Sequence, residues 1–107
     1  MAKGSGGGGR SGRLSSSQRS QIDGMFKYSS GAARYAKNSV AVSAPAPAGD
    51  VRMTLAGRVA QDSGGRYSNR ERAWIMSKSQ FKKFQANIQS ERQSTRDMWR
   101  RRNREGV

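Results

Sequence analysis

The chain of 107 residues contains neither cysteine nor histidine. Their absence removes disulfides, thiolate nucleophiles, zinc-finger ligand sets and imidazole acid–base chemistry together. Acidic side chains are scarce as well, with seven Asp and Glu against 21 Lys and Arg. These seven, Asp23, Asp50, Asp62, Glu71, Glu91, Asp97 and Glu105, are scattered singly among arginines. No close carboxylate pair is present to divide acid and base roles, so neither an enzymatic activity nor a metal or cofactor is expected.

Long apolar runs are also missing. The longest, Val40 to Ala48, is broken by Ser43, Pro45 and Pro47, far short of the roughly 20 apolar residues that cross a bilayer. No membrane partner is expected. A hydrophobic share of 33%, much of it alanine, limits the chain to one small core. The start of the chain is rich in Ser and Arg and has no acid before Asp23, a composition seen in transit peptides, but its glycines break the amphipathic helix such peptides need. The expectation is a cytoplasmic, nucleic-acid-associated protein.

What the sequence has in excess is positive charge. Its formal net charge is +14, whereas about 2 to 8 suffices to keep a small domain in solution. A surface so charged gathers phosphates and gains free energy by releasing their counterions, which points to DNA or RNA as partner.

The first 14 residues read as a disordered tail rich in Gly and Arg. The stretch "GSGGGGRSGR", Gly4 to Arg13, literally contains a dinucleotide fingerprint at Gly4, Gly6 and Gly9, but that motif needs a preceding strand and none is expected. A designed spacer would not need Arg10 and Arg13 in its glycine rhythm, so the segment is read as a natural tail whose arginines can follow a phosphate backbone. Residues 15–49 read as a loosely structured arm. Ser15 to Ser17 can cap a helix bearing Ile22, Met25 and Phe26, which predicts a short helix within Ser17–Tyr28. Gly24, Ser29, Ser30 and Gly31 weaken it. Val40–Val42 is a candidate edge strand, and "SAPAPAG", Ser43 to Gly49, reads as an extended linker.

Residues 50–107 read as a ββα domain. Val51, Met53, Leu55 and Val59 alternate with Arg52, Thr54, Ala56 and Arg58, as in a strand with one basic face. "QDSGG", Gln61 to Gly65, supplies a turn, and a second extended run covers Arg66 to Met76, with a bulge or helical turn near Arg70 to reconcile its parity. Ser77 and Gln80 form a capping-box pattern that starts a helix running to about Asn103. At about 100° per residue, Phe81, Phe84, Ile88, Thr95 and Trp99 share one stripe, with Arg92 in its middle and Met98 at its edge. The fold expected is α+β: a β-hairpin packed on a long, basic, amphipathic C-terminal helix, with a disordered Gly-rich N-terminal arm.

"SQFK", Ser79 to Lys82, has the serine and lysine spacing of serine β-lactamases, but the partner motifs are missing and the chain is too short for that fold. The basic surface is the stronger signal. Candidate nucleic-acid contacts are Lys82, Lys83, Arg96, Arg100, Arg101, Arg102 and Arg104 on the helix; Arg52, Arg58, Arg66, Arg70 and Arg72 on the hairpin; and Arg10 and Arg13 in the tail. Tyr67 and Trp74 are the candidates for base stacking, set against the commoner place of a tryptophan in so small a protein, its core. A second reading is a protein-interaction module or inhibitor docking on an acidic protein or a nucleoprotein complex, with a dimer as one way to complete a thin core. Arg92 could snorkel, pair with Glu71, or receive an acidic group from a partner.

Overall fold

A computed structural model describes residues 12–44 and 55–106. Most of the Gly/Arg tail with Arg10, the Pro/Ala linker after Ala44, and Val51 to Thr54 with Arg52 lie outside the described residues. The elements in order are α1 (Ser16–Met25), β1 (Ser29–Ala32), β2 (Ser39–Ser43), α2 (Leu55–Asp62), β3 (Arg66–Ser68), β4 (Ala73–Ser77) and α3 (Lys78–Arg104). The class is α+β: a four-stranded antiparallel sheet in the order β1-β2-β4-β3, with a long C-terminal helix. Two compact units divide the chain, one of Met1–Gly24 with Ser90–Val107 and one of Met25–Gln89.

The expected hairpin is replaced by a shorter one that lies later, over Arg66–Ser77. Leu55–Asp62 is a helix, where the alternating pattern predicted a strand. Over so few residues the pattern also fits a helical period, and Ala56, Val59 and Ala60 are buried as one stripe of α2. "QDSGG" accordingly closes a helix instead of turning a hairpin. The Gly65 amide donates to the Ala60 carbonyl at 2.9 Å and the Gly64 amide to the Gln61 carbonyl at 3.0 Å, with Gly64 at φ +100°, the left-handed geometry in which glycine ends helices. The Ser63 hydroxyl adds a bond to the Val59 carbonyl at 2.7 Å.

The hairpin is β3–β4, with Ser68 opposite Ala73 across a turn of Asn69–Arg72. This turn settles the parity problem near Arg70, because it sets Tyr67 opposite Trp74. The sheet then draws two strands from the segment expected to be a loose arm. Val40–Val42 belongs to β2, an interior strand and not the edge strand expected, since β1 pairs with its other side. β1 itself, Ser29–Ala32, is made of the small residues that read as helix breakers and is exposed along its length. Val42 lies opposite Trp74 and Val40 opposite Met76, so these side chains share a face. Val42, Trp74 and Met76 are buried there, while Gly31, Ala41, Ile75 and Arg66 register on the opposite face.

α3 starts as its sequence predicts. The Ser77 amide donates to Gln80 Oε1 at 2.8 Å and the Gln80 amide to Ser77 Oγ at 3.1 Å, a complete capping box. Ser77→Ala is expected to cost about 0.5–2 kcal/mol, read as a lower urea midpoint with unchanged far-UV ellipticity in the native baseline. The same reciprocal pair, Ser15 and Gln18, starts α1 at 3.0 Å for both bonds. Along α3, Phe84 and Ile88 are buried and Phe81, Arg92, Thr95 and Trp99 half-buried, the stripe the sequence gives by spacing, whereas Met98 is exposed. The Tyr28 ring meets Phe84 edge-on at 4.7 Å.

Gly12 to Leu14, expected within the disordered tail, have defined positions in the first unit. Leu14 is 4% exposed, and its burial offsets the entropy of fixing the residues beside it.

Candidate nucleic-acid interface

In the first unit the last turns of α3 are built by a packed polar seam. The Gln18 and Asn103 side-chain amides exchange two hydrogen bonds, of 3.1 and 2.9 Å, and Asn103 Nδ2 also donates to the Arg13 carbonyl at 3.1 Å. On the turns so held, Arg100, Arg101, Arg102 and Arg104 are exposed. Their acidic company is thin: Arg100 Nη1 stands 3.9 Å from Asp97 Oδ1, and exposed pairs of this kind stabilise little. Arg102 departs from the other three, standing with Gln18, Trp99 and Asn103 around a concavity of about 380 Å³. Positive charge at this helix end also meets the partial negative charge of the last carbonyls, which accounts for one or two of the four cations.

Arg96 does not fit the phosphate-contacting set. Its Nη2 is 3.1 Å from Asp23 Oδ1, and its Nε is buried without a hydrogen-bond partner. It is a strut between α1 and α3 within its unit. Arg92 is half-buried on the apolar stripe, with its Nε likewise buried and unpartnered.

In the second unit the basic candidates are dispersed. Lys82 and Lys83 are exposed on the first turns of α3, Arg58 on α2, Arg66 on β3, and Arg70 and Arg72 on the β3–β4 turn. Glu71, between those last two, is used structurally: its Oε2 accepts the amides of Arg34 at 2.7 Å and Tyr35 at 3.2 Å, fastening the β1–β2 loop. Its own amide donates to Ser68 Oγ at 3.1 Å. Arg34, Arg70 and Arg72 rim a concavity of about 620 Å³ on the outward face of the sheet.

Of the two candidates for base stacking, Trp74 takes the core place instead. Trp74 is 2% exposed on the covered face, and Tyr67 is half-buried against it, ring to ring at 5.5 Å and edge-on. Burial of a large ring is worth more to a small core than its display. The aromatic that is displayed is Tyr35, 52% exposed at the rim of the sheet-face concavity. Tyr35 and Arg34 were not legible as site residues because β1, the strand before them, was not; the signal was the basic–aromatic pair "RY" between two runs of small residues.

Among the described residues no three acidic side chains gather to hold a metal ion, and no helix is long and apolar enough to cross a membrane. No protein-family model, no curated protein and no solved structure matches the chain.

Proposed function

We propose that this chain is a small, non-enzymatic nucleic-acid-binding protein, acting in the cytoplasm, that contacts the phosphate backbone through the last turns of α3, aided by its basic arm. The observation that carries this reading is the display of four arginines, Arg100, Arg101, Arg102 and Arg104, with a single loose carboxylate contact to them among the described residues. Guanidinium groups placed side by side on a rigid helix meet successive phosphates, and they do so without reading sequence. Docking on an acidic protein is the competing reading. It is disfavoured because Tyr35 and Met98 are the large apolar side chains exposed among the described residues, too little for the apolar centre of a protein interface.

The test is fluorescence anisotropy with single- and double-stranded oligonucleotides across a salt series. Wild-type protein is expected to release roughly five or more counterions, and Arg100→Gln/Arg101→Gln/Arg104→Gln to flatten the log–log salt slope by about 2 to 3. Unchanged affinity and slope in the triple variant would remove the helix from the reading. Binding that persists in moderate salt would move the search to a protein partner.

A further inference from the structure

We infer that the outward face of the sheet is a second site, which takes an unpaired nucleotide and so gives the protein a preference for single-stranded nucleic acid. The inference rests on the nucleic-acid reading above and adds to it both a form of partner and a place.

The concavity has a floor and a charged rim. Its floor is set by Gly31, Ala41 and Ala73, small residues drawn from β1, β2 and β4 that leave the sheet surface flat. A flat ring can lie against such a floor, and the exposed Tyr35 at its edge offers a π-face to stack on. The rim carries Arg34, Arg70 and Arg72, and among the described residues none of the three is paired with a carboxylate. Glu71 sits among them, but its Oε2 accepts two loop amides. Three guanidinium groups against one engaged carboxylate leave the rim positive, complementary to a phosphodiester and unsuited to another cationic surface.

A further detail favours a functional surface over an accidental dent. Gly31 lies in open space, since a β-carbon added there meets nothing within 4 Å. Sterics do not require glycine at that position, and glycine weakens a strand. The bare floor has a purpose if something lies on it.

A duplex keeps its bases stacked and paired, whereas a base splayed from a single strand can lie flat on a floor of small residues. The occupant is therefore a nucleotide of single-stranded DNA or RNA.

The experiment compares fluorescein-labelled oligo(dT), oligo(U), a mixed-sequence duplex and poly-glutamate for binding to the full chain. Gly31→Ile places its β-carbon in open space and adds a good strand former, so the variant is expected to stay folded with its floor filled. Tyr35→Ala removes an exposed ring and is similarly benign. Each is expected to weaken oligo(dT) or oligo(U) binding about five- to a hundredfold, the range of one lost stacking contact, while duplex affinity stays within about twofold. Single-strand affinity unchanged in both variants would overturn the site. If only the triple arginine variant loses affinity, and equally for both forms, the helix reading stands and this one falls. Poly-glutamate bound as tightly as oligo(dT), and released by Gly31→Ile, would overturn the nucleotide in favour of an acidic peptide. A wild-type chain that binds no nucleic acid at low salt would overturn both readings.

Discussion

Trp74→Ala is expected to lower the free energy of unfolding by about 3–5 kcal/mol, a large share of the about 5–15 kcal/mol that keeps a typical domain folded. Trp74 is the largest of the fully buried side chains and sits on β4, an interior strand. Across the ladders it faces Val42 on one side and Tyr67 on the other, so its removal opens a cavity between two strand pairs that cannot close without shifting the sheet. Its indole Nε1 is buried without a hydrogen-bond partner. An unsatisfied buried donor costs about 1–3 kcal/mol, and Trp74→Phe removes that donor along with part of the ring. The phenylalanine variant should therefore lose much less than the alanine variant, and less than the difference in ring size implies. Urea unfolding followed by circular dichroism checks both. Similar midpoints for the two variants would mean that the indole nitrogen is satisfied in solution by water.

The elements that were legible in the sequence are those fixed by local chemistry. The Ser77–Gln80 capping box and the stripe Phe81, Phe84, Ile88, Arg92, Thr95, Trp99 need only the helix itself to be meaningful, and α3 follows both. α1 was legible for the same reason. What could not be read depends on partners distant in the chain. Ser29–Ala32 has no apolar side chain larger than alanine, and it becomes a strand because Ser39–Ser43 supplies its ladder bonds. Conversely, Leu55–Val59 has an alternation that a strand and a helix both satisfy, and the Gly64–Gly65 geometry that ends the helix is visible only once the carbonyls of Ala60 and Gln61 are in place.

The candidate site divides along the same line. Exposure of Arg100, Arg101 and Arg104 follows from their angular distance to the apolar stripe, which the sequence contains in full. The removal of Arg96 from the set depends on Asp23, 73 residues away, and no helical spacing reveals it. Which side of the sheet Tyr67 and Trp74 share is decided by the four residues of the Asn69–Arg72 turn, and local alternation does not reveal it. Tyr35 and Arg34 gain their place from Glu71, a contact over 36 and 37 positions.

Gly12→Ala is expected to cost about 2–3 kcal/mol and to act through a segment of only a few residues. Gly12 has φ +74°, and a β-carbon there would lie 2.5 Å from the Arg100 carbonyl oxygen. That oxygen belongs to helix backbone and cannot swing aside, so the strain of a left-handed alanine and the clash fall together on the chain before α1. The cheapest relief is to lift the segment away, which exposes Leu14 and releases the Arg13 carbonyl from Asn103. Loss of that buried leucine, worth about 1.5–3 kcal/mol, sets the ceiling on the effect. Amide exchange should accordingly quicken at Gln18, whose N–H is held by Ser15 Oγ, and stay slow at Ile75 and Met76 in the sheet. Acceleration in the sheet as well would mean that the seam at Asn103 is part of one cooperative fold. The same variant separates two ways in which the tail can serve binding. If Arg100, Arg101 and Arg104 act from the helix alone, nucleic-acid affinity survives the release of residues 12–14; if it falls, the seated tail is itself part of the phosphate-binding surface.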